Sequence, residues 1–232
     1  RFTKGDANTA DFLNMVNGDY HHFEDNGGPQ KSINFIVAHD GFNLADLVSY
    51  QTKNNDQPYP FGPSDGGSDD NLSWDSGGDQ GLRRQRLRNL WVILMLSRGV
   101  PMVVAGDEFG RTQNGNNNAY CQDSPISWLN WDDAVEWSDI TELTTTLVAL
   151  RASHPALRPN TYRHHGSVHT EDGQDTGRPD LAWFSESGAE MCTEEWNDQG
   201  RRTLGMYSSS ADEAFLMWFH SGDQPLGARL PD

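Results

Sequence analysis

Cysteine is nearly absent: Cys121 and Cys192 are the two among 232 residues. Two cysteines make no disulfide framework, so a hydrophobic core must hold the chain together, and a reducing, cytoplasmic setting is expected. Basic residues are scarce as well. Lys and Arg total 17 against 34 Asp and Glu, a net charge of −17. A phosphate backbone or an anionic bilayer needs a basic face, so neither nucleic acid nor membrane is expected as a partner. No apolar run reaches the roughly 20 residues that span a bilayer. Arg1-Phe2-Thr3-Lys4-Gly5-Asp6 lacks the apolar stretch of a secretory leader.

Hydrophobic residues make up 35% of the chain, and eight of them are Trp. That composition supports a real core. Tryptophan is also a flat stacking surface for sugars, although core packing is the default for any single one.

Periodicity predicts a short helix over 9–18, capped by Thr9 and closed by Gly18. Residues 33–38, INFIVA, read as a strand covered on both faces, the signature of a parallel sheet. Residues 51–81 form a long Gly-, Pro-, Asn- and Asp-rich loop, and a loop of that length inside a domain is usually functional. A helix follows over 82–98, with Leu82, Leu87, Leu90, Trp91, Leu94 and Met95 on or near one stripe and Arg83, Arg84, Arg86 and Arg88 crowding its first half. Gly99 stops it, and 100–105, VPMVVA, is a second buried strand. After another polar loop a third helix is predicted over 139–153, ended by His154-Pro155. Beyond residue 160, short apolar runs at 181–184, 203–207 and 214–219 read as an antiparallel β-domain.

Strands alternating with helices point to a parallel α/β fold, where chemistry gathers at the C-terminal strand ends. His39-Asp40 stands at the end of the first strand and Asp107-Glu108 at the end of the second. From position alone, Asp40 reads equally well as the N-cap of the next helix. Asp107 and Glu108 read equally as pocket rim or as caps of the following loop. Asn116, Asn117, Asn118 and Tyr120 offer neutral donors, acceptors and an aromatic face, which suit polyols, though consecutive asparagines also make plain turns. Trp74, Trp128 and Trp131 are candidate sugar platforms, with core packing expected of at least one.

INFIVAHDGFNLADLVSY, then NNDQPYPFGPSDGGSDDNLSWD, then GVPMVVAGDEFGRTQNGNNNAYCQDSPISWLNW resemble, in that order, the isoamylase and glycogen-debranching branch of the α-amylase family, glycoside hydrolase family 13. The resemblance covers roughly residues 30–155; residues 190–220 are more weakly similar to the family's C-terminal β-domain. It implies the C-terminal portion of a (β/α)8 barrel over 1–158 and an all-β sandwich domain over 159–232, both incomplete. It implies an α-glucan partner (glycogen, amylopectin or limit dextrin) and retaining hydrolysis of α-1,6 linkages, with no cofactor and no metal. Asp40 matches the family's transition-state-stabilising carboxylate and His39 the histidine before it. The resemblance also favours Asn116, Asn117, Asn118 and Tyr120, since the family carries this run in the same loop; Asn117, Asn118 and Tyr120, with Asp107 from its strand-end position, are the expected substrate-binding residues.

One departure matters. Retaining hydrolysis needs a carboxyl pair, and the family's nucleophile and acid motifs lie upstream of the Asp40 strand. Nothing in residues 1–32 resembles either; Arg178-Pro179-Asp180 and Glu194-Glu195-Trp196 come too late. The chain is therefore expected to be the C-terminal part of a longer enzyme and to be inactive alone, and LGARLPD to end short of a full β-domain. Self-association, or a missing N-terminal portion that completes the barrel, is expected to cover the two strands. A non-catalytic glucan-binding module, a glucanotransferase and a trehalose-forming hydrolase are the alternatives. Asp65, Asp69, Asp70, Asp75 and Asp79 do not follow calcium-loop spacing and read as a solvated loop. His21-His22 and His164-His165 are adjacent pairs whose side chains point apart in most backbones.

Overall fold

Apolar stripes at helical spacing become the two long helices. The computed structural model describes residues 1–23, 27–162 and 166–231. In chain order the elements are α1 (Thr9–Val16), α2 (Tyr20–Phe23), β1 (Ile33–Asn34), α3 (Leu44–Leu47), α4 (Gln80–Leu96), β2 (Val100–Pro101), α5 (Asp133–Glu136), α6 (Ser138–Ser153), β3 (Ser167–His169), β4 (Asp175–Pro179), β5 (Leu181–Phe184), α7 (Thr193–Asn197), β6 (Thr203–Ser209) and β7 (Ala214–His220).

Contacts divide the chain into two compact units. One holds residues 35–95 and 101–150; the other holds 1–34, 96–100 and 151–232. This division does not follow the boundary expected at 158/159. The N-terminal residues go with the C-terminal ones because Phe2 stacks on Phe12, which meets the edge of Phe219, while Asn8 donates to Gln199 Oε1 (2.9 Å).

In the first of these units, α4 buries Leu87, Trp91, Leu94 and Met95, and α6 buries Ile140 and Leu147. The arginine-crowded start of α4 is a set of ties. Arg84 and Arg88 both reach Asp139 on α6, and Arg84 also lies over the Trp137 ring. Arg86 lies over Trp74, 3.6 Å from the ring centroid, and donates to the Trp74 and Asp75 carbonyls. One face of Trp74 is thereby covered by a guanidinium, which removes that face as a sugar platform.

In the other unit, β5, β6 and β7 form an antiparallel sheet in that order, with Trp183 opposite Met206 and Met206 opposite Met217. Leu181, Ala182, Leu204 and Met206 are fully buried. The three predicted strands are all present. The antiparallel pair β3–β4 and helix α7 were not foreseen, because their polar sequences carry no apolar alternation. Arg151 donates to the carbonyls of Ser97, Gly99 and Leu157, which binds the end of α6 to residues 96–100.

Two expectations need correction. The strands predicted over 33–38 and 100–105 are two residues long each, β1 and β2, paired with one another. A strand persists only where a neighbour accepts its ladder. Phe35, Met102 and Val103 lie past the paired residues, and like Ile33 and Val100 they are exposed rather than covered. The second correction concerns α1, whose cap is Asn8: its side chain accepts from Asp11 N (2.8 Å). Thr9 is the first helical residue and is buried. Asn8→Ala is expected to cost about 1 kcal/mol, read as a lower urea midpoint; an unchanged midpoint contradicts the assignment.

Candidate functional site

The residues just after His39-Asp40 shape the turn that carries them. Gly41 has φ +147° with open space around its missing Cβ, so backbone conformation rather than crowding favours glycine there. Asn43 then caps α3, its side chain accepting from Asp46 N (2.9 Å). The capping role that Asp40 might have filled therefore belongs to Asn43. Asp40 and His39 are left with side chains 87% and 89% exposed, His39 Nε2 3.5 Å from Asp40 Oδ2.

Two buried carboxylates hold the segment behind this turn. Asp107 Oδ1 accepts from Leu44 N (2.9 Å) and Oδ2 from Val104 N (3.3 Å). Asp46 accepts from the Thr112 hydroxyl, from Gln113 N (2.8 Å) and from Gly115 N (3.2 Å). Burial raises Asp46 from 3.8 to about 6, overriding the donors that pull it down. Burial likewise raises Asp107 to about 7, with Leu44 N and Val104 N opposing. Asp107 thus secures the helix that comes after Asp40, and Glu108 accepts from Gly106 N (2.8 Å). Of the two readings of Asp107 and Glu108, these contacts are those of the loop-holding one.

The asparagine run is a staple. Asn117 is buried; its amide donates to Ser68 O (2.8 Å) and Asn71 Oδ1 (2.7 Å), and its oxygen accepts from Asn55 Nδ2 (3.0 Å). Asn116 donates to Phe61 O (2.8 Å) and accepts from Ser64 Oγ (3.0 Å); Asn118 donates to Asp65 O. Gly67 takes φ +74°, where a Cβ would lie 2.2 Å from Asn117 Oδ1. Amides therefore satisfy the polar backbone of the 51–71 loop, which has little ladder of its own. Asn117 is buried with both of its amide hydrogens engaged, which leaves it no donor for a sugar. Tyr120 is 81% exposed and free of this packing.

Sequence reading missed Asp46. Its partners lie more than sixty positions away, so periodicity carries no sign of it. Trp128 and Trp131 are exposed, as sugar platforms must be. Among the described residues no group of three or more His, Cys, Asp or Glu is placed to hold a metal ion. His22 Nδ1 lies 2.7 Å from Asp19 Oδ1. His164 and His165 lie outside the described residues.

No family model matches the chain. Among curated proteins, it is 44% identical over 181 residues to an isoamylase of a Flavobacterium species, covering 78% of this chain and 23% of that protein. It is 33% identical over 247 aligned positions to the glycogen operon protein GlgX homolog of Mycobacterium bovis, covering 97% of this chain and 33% of that one. The chain spans a quarter to a third of the length of these relatives. Among solved structures, a pullulanase from Anoxybacillus sp. LM18-11 complexed with maltotetraose has a TM-score of 0.63 at 18% identity, over 96% of this chain and 26% of that one. That likeness speaks for fold, and the sequence relatives speak for descent. The chain belongs to the isoamylase and glycogen-debranching branch of the α-amylase family.

Proposed function

We propose that this chain supplies the transition-state-stabilising carboxylate, Asp40, and the loops around it to a retaining hydrolase of α-1,6 branch linkages in glycogen or amylopectin. The supporting observation is a bare carboxylate on a fixed turn: Asp40 is exposed while Asp107 and Asp46 anchor the residues just after it. A sugar ring gaining positive charge is stabilised by an anion already in place, because no reorganisation is needed when the charge develops. His39 beside it can donate to a sugar hydroxyl.

One carboxylate cannot complete retaining hydrolysis, so the 232-residue chain alone is proposed to be inactive. The test grafts the chain into the Flavobacterium isoamylase in place of the 181-residue match. The chimera is expected to release linear chains from amylopectin, and the isolated chain none. A chimera that melts like its parent yet releases nothing, or an isolated chain that turns over, overturns the reading.

A further inference from the structure

The unit containing residues 35–95 and 101–150 holds a cleft of about 440 Å³ that neither His39 nor Asp40 lines. That volume lies within the roughly 300–1,000 Å³ usual for small-molecule sites. Its apolar wall is Phe61, Trp128 and Leu129, and its polar rim includes Asn114, Asn130 and Asp133. The geometry points to a second carbohydrate site, separate from the Asp40 turn, that takes a linear α-1,4-glucan segment by stacking a sugar ring on Trp128. The identity of the glucan rests on the debranching function proposed for Asp40.

Three observations converge on a sugar. Trp128 is 56% exposed, yet its Nε1 donates to Asp123 Oδ1 (2.9 Å), so the ring is held in one plane before any ligand arrives. The rim pairs an amide with a carboxylate, Asn130 Nδ2 to Asp133 Oδ1 (2.7 Å), an array matched to vicinal hydroxyls. Charge favours a neutral ligand over an anion. Arg111, the cation of the cleft, donates to the carbonyls of Ala105, Ile126 and Ser127 at 3.2–3.3 Å, and Asp133 faces the same space. A phosphate or carboxylate ligand would meet that anion, while both terminal nitrogens of Arg111 already donate to backbone carbonyls. A neutral polyol meets no such penalty. Another cleft, about 460 Å³ and lined by Pro155, Pro159 and Val168 among others, has no Phe, Trp or Tyr in its wall.

The test titrates the 232-residue chain with maltoheptaose by calorimetry, tracking the Trp indole resonances in parallel. Saturable binding is expected, weakened roughly tenfold by Trp128→Ala and restored in part by Trp128→Phe. Val148→Ala is expected to leave it unchanged, since Val148 is half exposed on α6 and does not line the cleft. Asn130→Ala is a second variant should Trp128→Ala unfold the loop. Absence of binding, binding that ignores Trp128 and Asn130, or equal binding of cellohexaose overturns the proposal. An inactive chimera with intact Trp128-dependent binding rejects the Asp40 reading alone. An active chimera with Trp128-independent binding rejects this one alone.

Discussion

Asp40→Asn in the isoamylase chimera is expected to lower kcat/KM on amylopectin by about 10²–10³-fold and to leave the melting temperature where it was. The rate effect arises from charge. Asparagine keeps the size and one acceptor of aspartate but removes the anion facing a ring that becomes positive in the transition state. Removing a single preorganised electrostatic partner in other enzymes costs about 2.7–4 kcal/mol of barrier. The unchanged melting temperature arises from exposure. The Asp40 side chain is 87% exposed, and the imidazole of His39 lies 3.5 Å from it. Exposed pairs of this kind contribute little to folding. A variant that loses activity together with melting temperature makes Asp40 a structural residue. A variant within about threefold of the parent rate removes it from the reaction.

How far that residue could be found by reading alone depends on the range of the forces involved. Helices α4 and α6 were legible because their cores repeat every three or four residues: Leu87, Trp91, Leu94 and Met95 in one, Ile140 and Leu147 in the other. Strands β5 and β7 were legible as short apolar runs. The lengths of β1 and β2 were not, because a strand's extent is decided by its neighbours and not by its own apolarity. His39-Asp40 was picked out by position and resemblance, and the structure adds that Asn43, not Asp40, caps the next helix. The asparagine run reads from sequence as neutral donors and acceptors suited to polyols or as a plain turn, and in the structure Asn116 and Asn117 are buried and tie down a loop. Their actual partners, Phe61, Ser64, Ser68 and Asn71, lie some fifty positions earlier, and no local pattern reports a contact of that range.

Asp46 is the extreme case of that blindness, and replacing it is expected to have the largest effect on stability. Asp46→Ala strands two buried amides, Gln113 N and Gly115 N, at about 1–3 kcal/mol each. The loop carrying the asparagine staple then loses its tie to α3, and with it part of what fixes the Asp40 turn. Asp46→Asn behaves differently. Its oxygen can accept both amides while its NH2 donates to Thr112 Oγ1, the arrangement that a protonated carboxyl also makes. The contrast gives a pH signature. Burial raises Asp46 from 3.8 to about 6, so the folded chain keeps a proton that the unfolded chain releases. The resulting stability is whole below pH 3.8 and is lost as pH climbs through about 6, a loss on the order of 3 kcal/mol. Asp107, raised to about 7, extends the decline upward. Urea midpoints of the wild-type chain should therefore fall between about pH 4 and pH 8. Asp46→Asn should match the wild type near pH 4 and exceed it near pH 8, because it removes one of the two charges that burial penalises. Parallel pH profiles for the two proteins would mean that Asp46 stays ionised in the fold, and that its charge, rather than a shared proton, holds this loop.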